Sequence, residues 1–214
     1  MKTSIQAWLF ILGAVLVAPA FAAGDAKQGE ALVVACVACH GDGGNSTTPN
    51  FPKLAGQGEK YLLKQLKDIK GGMRVVPEMT GILDKFADGD LANIAAFFAS
   101  KTMQLSGSKE LKVKVNSGEQ VDGLALGAKV FRAGNAASGV PACSGCHSPV
   151  GLGNSPAGYP RLGGQHAAYI EKQLKNFRAG ERANDGEAKV MRQVAQQMSD
   201  AEITAVANFI AGLN

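Results

Sequence analysis

Two short segments of the chain carry the same arrangement of thiol and imidazole side chains. Residues 34–41 have the sequence VACVACHG, and residues 141–148 have the sequence PACSGCHS. In each segment two residues separate the cysteines, and a histidine follows the second cysteine directly. On one turn of helix, cysteines three positions apart lie on the same face. They can therefore reach two points of a single planar group, while the adjacent imidazole projects towards its centre.

Three kinds of site use paired cysteines. A thioredoxin-type disulfide motif requires a strand before it and a helix after it, and neither segment has that context. A zinc site requires four ligands, and each segment supplies three. The Cys-x-x-Cys-His spacing is the attachment signature of haem c, in which both thiols bond the porphyrin vinyl groups and the imidazole ligates the iron. We therefore predict two covalently bound haem c groups, attached through Cys36, Cys39, Cys143 and Cys146 and ligated by His40 and His147.

The first 22 residues have the composition of a secretory signal peptide. Lys2 supplies a positive charge, residues 8–17 are apolar, and small residues surround Phe21. The apolar run is shorter than the roughly 20 residues that span a bilayer. This favours cleavage after Ala22 over a retained membrane anchor, and we expect an exported protein.

The composition beyond this segment excludes several classes of function. The chain has 22 basic and 18 acidic side chains, a balance that gives no reason to expect a nucleic-acid partner. Neither a nucleotide-binding loop nor a nucleophile is visible, so we expect no small-molecule substrate. Only 6% of the residues are aromatic, which suits a core that a bound haem helps to fill.

A long internal repeat follows each haem motif. Residues 52–74 and 160–182 share eleven identical residues at an offset of 108, which indicates a duplicated domain. The residues that recur are Pro52, Leu54, Gly56, Gln57, Tyr61, Lys64, Gln65, Leu66, Lys67, Gly72 and Arg74. Each copy predicts an amphipathic helix and then a final helix with one apolar face, formed by Leu91, Ile94 and Phe97 and by Ile203, Val206 and Phe209.

No segment shows convincing strand alternation, so the predicted fold class is all-α. We expect a domain over 23–101, an extended polar linker over 102–120, and a second domain over 121–214. Each domain would wrap around one haem.

The sixth iron ligand can be sought by counting histidines and methionines. Of the three histidines, only His166 is not in a haem motif; it aligns with Gly58 in a polar loop, and we expect it at the surface. Aligning Asp88 with Asp200 at the start of the final helices superimposes Met79 on Met191, and no other methionine pair coincides. A thioether ligand also suits a haem of raised potential. We therefore predict Met79 and Met191 as the second axial ligands.

A proline follows each ligating histidine at a similar distance. Pro52 comes twelve residues after His40, and Pro160 comes thirteen residues after His147. A ligating imidazole usually donates its other N–H to a carbonyl or carboxylate. In a class I cytochrome c loop a proline at this place often supplies that carbonyl, so we predict this role for both prolines; the alternative is two ordinary loop prolines.

Across the whole chain beyond the signal peptide, the sequence resembles the diheme cytochrome c4 family of Gram-negative bacteria. The resemblance lies in two class I cytochrome c domains, each with Cys-x-x-Cys-His and a downstream methionine, in the AGDAKQGEAL segment and in the two PxLxGQ…Y…KQL segments. It implies a periplasmic electron carrier, loosely associated with the membrane, that passes electrons from a membrane-bound donor towards a haem–copper terminal oxidase. It also implies two domains related by a pseudo-twofold axis, with their haem propionates close together.

Electron transfer without substrate turnover is the first hypothesis, because two six-coordinate irons leave no position open to peroxide or oxygen. A diheme peroxidase would need an open or displaceable site. A thiosulfate-oxidising cytochrome commonly uses a cysteine ligand, and no cysteine remains here. The cytochrome subunit of a sulfide-oxidising flavoprotein has a similar two-haem architecture, and the sequence does not separate it from a free carrier.

Overall fold

The structure, a computed structural model, describes residues 24–214, and the predicted signal peptide lies outside the described residues. The first half contains the helices α1 (Ala26–Leu32), α2 (Val34–His40), α3 (Glu59–Lys70) and α4 (Asp88–Ala99). The second half contains α5 (Gly123–Ala133), α6 (Ser144–His147), α7 (Ala167–Ala179), α8 (Val190–Gln196) and α9 (Asp200–Gly212). Short 3₁₀ turns lie at Asp42–Gly44 and Pro77–Met79. The predicted helical fold class is confirmed.

The first helix of each half crosses the last helix of the same half at close range. Helix α1 packs on α4, and α5 packs on α9. A Cβ atom on Gly29 would lie 2.1 Å from the carbonyl oxygen of Asn93, and one on Gly127 would lie 2.2 Å from that of Ala205. Only glycine allows this approach. Both halves therefore use the same contact to close their helices around a core.

Each half buries its own apolar cluster. In the first half the cluster is centred on α4, where Leu91 and Ile94 are almost fully buried. In the second half it is centred on α9, where Ile203 and Val206 take the same places. The predicted apolar faces of the two final helices are thus confirmed, although Phe209 is only half-buried.

The sequence predicted an extended linker between the halves, but part of this segment pairs with itself. It contains an antiparallel pair of strands, β1 (Lys112–Lys114) and β2 (Gln120–Asp122). Val113 of β1 is buried against Ala201 and Ala205 of α9, so the pair belongs to the surface of the second half. Three residues of alternation are too few to signal a strand in a sequence. Across residues 24–214, every helix is too short or too polar to cross a membrane.

Candidate haem-binding sites

The first site is built on α2, which carries Cys36 and Cys39 and ends at His40. The His40 side chain is 8% exposed, and its Nδ1 lies 2.8 Å from the carbonyl oxygen of Pro52. A carbonyl can only accept, so Nδ1 carries the proton and the lone pair of Nε2 is left for a metal. Burial lowers the pKa of His40, although the hydrogen bond to Pro52 opposes this, and the shift favours the neutral imidazole that a metal ligand must be.

A cavity opens beside His40 and is lined by Cys36, Cys39 and Met79. Met79 ends the 3₁₀ turn that begins at Pro77. The rest of the wall is largely apolar and includes Leu54, Leu62, Leu66, Ile69, Ile82 and Phe98. One imidazole, one thioether and two thiols in an apolar cavity are the donor set that haem c requires. The residues present therefore fit a covalently bound haem.

The second site repeats the thiol and imidazole part of this arrangement on α6. Cys143 precedes the helix, Cys146 lies within it, and His147 ends it. His147 is 6% exposed, and its Nδ1 lies 2.9 Å from the carbonyl oxygen of Pro160. Burial likewise lowers the pKa of His147. Met191 is half-buried on α8, whereas Met198 lies inside the apolar core, as expected for a packing residue.

The thiols do not resemble those of redox-active motifs. Burial raises the pKa of the Cys143 thiol to about 11 and also raises that of Cys36. Reactive thiols in Cys-x-x-Cys motifs instead have lowered pKa values. All four cysteines are unpaired in the structure, and residues 24–214 contain no cluster of three or more His, Cys, Asp or Glu side chains suited to a metal ion. The thiols are therefore suited to thioether attachment rather than to thiol–disulfide exchange.

The polar residues of the repeat meet between the two halves. Arg74 donates to Gln65 of its own half at 2.8 Å and to the hydroxyl of Tyr169 of the other half at 3.0 Å. Arg182 donates to Gln173 of its own half at 2.7 Å and to the hydroxyl of Tyr61 at 3.1 Å. Since the same contacts recur with the halves exchanged, the two domains are related by a pseudo-twofold axis.

The sequence predicted that the tyrosine and the glutamine of each repeat lie on an amphipathic helix. It did not predict that they would join the two domains. Their polarity could have indicated this contact. Polar side chains that are identical in both copies have no role in an apolar core, so another contact must account for them.

His166 is not at the surface, and that expectation was wrong. The side chain is 8% exposed. Its Nε2 lies 2.8 Å from the carbonyl oxygen of Ser46 in the other half, and its Nδ1 lies 2.9 Å from the hydroxyl of Ser106. One ring nitrogen therefore joins the halves, and the other holds the segment between them. The polar loop around it is buried by the opposite domain, which a sequence window does not reveal.

Comparison with known proteins agrees with this geometry. A family model for cytochrome c matches residues 26–101 and 124–214. Cytochrome c4 of Pseudomonas aeruginosa is 50% identical to the chain over 214 residues, covering all of both sequences. The chain belongs to the cytochrome c4 family. The crystal structure of reduced recombinant cytochrome c4 from Pseudomonas stutzeri has a TM-score of 0.82 at 49% identity, covering 90% of this chain and 100% of that one.

Family membership settles the cofactor and the class of function. As a diheme cytochrome c4, the chain carries two covalently bound haem c groups and transfers electrons, and it is not an enzyme. A less similar relative is named as a thiosulfate dehydrogenase electron acceptor in Stutzerimonas stutzeri (strain A1501). It is 41% identical over 84% of this chain and 79% of its own length.

Proposed function

We propose that this cytochrome c4 is a periplasmic single-electron carrier that takes electrons from a membrane-bound donor and delivers them to a haem–copper terminal oxidase. In this proposal His40 and Met79 ligate one iron, and His147 and Met191 ligate the other. The observation that carries it is the cavity of the first half, where a neutral, carbonyl-bonded imidazole and a thioether line the same space.

The haem supplies one-electron chemistry between ferrous and ferric iron. The protein fixes the imidazoles through the carbonyls of Pro52 and Pro160, which also makes each imidazole a stronger ligand. Met79 and Met191 would supply the remaining iron ligands, which would leave no open position for peroxide or oxygen. Apolar walls such as Leu62 and Phe98 exclude water, and this, like a soft sulfur ligand, favours a high reduction potential.

Electron exchange between the haems requires their edges to be near the domain boundary. Arg74 and Arg182 both line the cavity there, and the hydrogen bonds of their guanidinium groups go to neutral side chains rather than to carboxylates. A buried cation is stable only when it is paired. Both arginines would be placed to pair with the carboxylate groups of bound haems, if the haems lie close to the boundary as the family resemblance implies.

The predicted signal peptide and the relatives support the proposed location and partners. Export through the predicted signal peptide would place the carrier in the periplasm, and peripheral contact with the inner membrane would keep it near its partners. The relative named as a thiosulfate dehydrogenase electron acceptor supports a second candidate, in which the donor is a thiosulfate dehydrogenase.

Stopped-flow measurements of the purified diheme protein test these partners. Reduced protein should be oxidised rapidly by membranes that contain a haem–copper oxidase, and this oxidation should stop when the oxidase is inhibited with cyanide. Oxidation that is insensitive to cyanide would contradict delivery to the oxidase. Fast reduction by thiosulfate dehydrogenase and thiosulfate would establish the second donor, and stable copurification with a flavoprotein would instead favour a subunit role.

A further inference from the structure

Two glutamines reach across the domain boundary to the backbone beside the other half's proline. The Oε1 atom of Gln57 accepts from the backbone N–H of Arg161 at 2.9 Å, and its Nε2 donates to the Arg161 carbonyl at 2.6 Å. Gln165 does the same in reverse, accepting from the N–H of Lys53 at 2.9 Å and donating to its carbonyl at 2.9 Å. The two glutamines occupy equivalent positions of the repeat.

These contacts end on the peptide units that hold the ligating histidines. The N–H of Arg161 belongs to the same peptide unit as the carbonyl of Pro160, which accepts from His147. The N–H of Lys53 belongs to the same unit as the carbonyl of Pro52, which accepts from His40. Each histidine is thus joined through one peptide unit to a glutamine of the opposite domain.

A peptide unit transmits polarisation because its nitrogen, carbon and oxygen share one conjugated system. An acceptor at the N–H shifts electron density onto the carbonyl oxygen, which then accepts more strongly from the imidazole. Linked hydrogen bonds strengthen one another in this way by about 10–30% per bond. Gln57 is 6% exposed and Gln165 is 2% exposed, so water does not compete strongly for either contact.

We propose that Gln57 tunes the haem of the second domain and that Gln165 tunes the haem of the first, each across the boundary. This rests on the proposed ligation by His40 and His147. A more strongly bonded imidazole donates more charge to the iron and favours the ferric state. Each glutamine therefore lowers the potential of the opposite haem. The glutamines act as positioning residues and not as ligands.

The test uses the crossed pair Gln57→Leu and Gln165→Leu in the full diheme protein. NMR of the reduced, diamagnetic protein reports the Nδ1–H proton of each ligating histidine, and a spectroelectrochemical titration gives the two potentials. In Gln57→Leu we expect the His147 Nδ1–H signal to move upfield while that of His40 stays in place. We expect the second haem to favour the ferrous state about two- to threefold more, or about 20–30 mV at 59 mV per tenfold. Gln165→Leu should give the mirror image.

Two further variants separate tuning from a general loss of docking. Lys60→Ala removes a cross-domain hydrogen bond to the Pro156 carbonyl, 2.9 Å long, that touches neither histidine-bonded peptide unit, and it should move neither signal. Gln57→Met keeps the length of the side chain but removes both hydrogen bonds to Arg161, so the His147 signal should move upfield as in Gln57→Leu. This closer match in shape keeps the proposal open to test even if Gln57→Leu does not fold.

Several results would overturn the inference. Leucine variants that shift the haem of their own domain, shift both haems equally or shift neither would contradict cross-domain tuning while leaving the carrier function intact. Absence of methionine ligation in the wild-type spectrum would instead contradict the proposed function, so the two failures are distinguishable.

Discussion

The two halves share their main hydrogen bonds where they face each other and differ in backbone around the proposed methionine ligands. Gln57 and Gln165 make the same pair of hydrogen bonds with the domains exchanged. Met79, however, ends a 3₁₀ turn after Pro77, whereas Met191 lies in α8, preceded by Lys189 in the left-handed region with a φ of 50°. The duplicated sequence therefore preserves the backbone around the haem-motif histidines and these boundary contacts, while each proposed methionine ligand lies on a different backbone.

The surfaces of the halves differ as well. Val34, Met73 and Val75 of the first half are 76%, 71% and 75% exposed. The residues at the matching places of the second half are Pro141, Glu181 and Ala183, which are smaller or charged. The two halves therefore present different outer surfaces to a partner protein, even though they use the same hydrogen bonds where they face each other.

Removing the thiols of one half should have the largest effect. In Cys36→Ser/Cys39→Ser and in Cys143→Ser/Cys146→Ser we expect intact-protein mass to show one covalent haem instead of two. The half that lacks its haem loses the group that fills its core, so its helices should unfold while the other half keeps its haem spectrum. Retention of two covalent haems in either double variant would contradict the assignment.

Removing one candidate sulfur ligand should affect one haem only. Met79→Ala and Met191→Ala should each abolish half of the far-red methionine-to-iron charge-transfer band of the ferric protein and lower the potential of that haem, because the thioether favours ferrous iron. Met198→Leu changes a buried methionine of the core by a swap that costs less than about 1.5 kcal/mol and should leave the band intact. A full-intensity band in Met191→Ala would show that the two halves differ in ligand as well as in backbone.

Acid should destabilise the second half before the first. Burial raises the pKa of Glu202, but hydrogen bonds from Asn135, Ser199 and Ser138 outweigh burial and hold the pKa below its usual 4.5. This carboxylate therefore stabilises the second half above about pH 4.5, and the contribution is lost as the pH falls through the lowered pKa. In the first half the residue before the equivalent helix α4 is Ala87, which has no side-chain oxygen to cap the helix.

The variant Glu202→Gln should cost the second half about 1–2 kcal/mol at neutral pH, as expected for a buried carboxylate that loses charge-assisted hydrogen bonds. Urea unfolding at pH 7 and pH 4, followed at each haem, measures both effects. The matched control is Asp90→Asn. The Asp90 carboxylate accepts from the Ala87 N–H at 2.9 Å, and its replacement should reduce the free energy of unfolding by less than Glu202→Gln does. Equal acid sensitivity of the two halves would contradict this explanation.

Exposed charge pairs across the boundary should contribute least to the free energy of unfolding. Lys172 lies 3.8 Å from Glu78 of the other half, and both side chains are more than half exposed. Lys172→Ala should change the free energy of unfolding by less than about 0.5 kcal/mol. Its equivalent, Lys64, donates to the Asn184 carbonyl at 2.8 Å, so Lys64→Ala should cost somewhat more. If Lys172→Ala lowered the free energy of unfolding more than Lys64→Ala, this prediction would be wrong.

The fold was largely predictable because its signals are local. Helical spacing of apolar residues located α3, α4, α7 and α9, and the repeat showed that the fold is duplicated. The strands β1 and β2 and helix α8 were missed because each is too short to show a period. The burial of His166 and the contacts of Gln57 were missed for another reason. They depend on how two domains dock, and no window of sequence contains both partners.

The central claim is that each iron lies between one imidazole and one thioether, and the far-red absorption of the ferric wild-type protein tests it most directly. We expect a methionine-to-iron charge-transfer band with the intensity of two haems per chain, unchanged by added cyanide at low concentration. A band with the intensity of one haem, or a high-spin ferric spectrum that cyanide converts at once, would contradict the account.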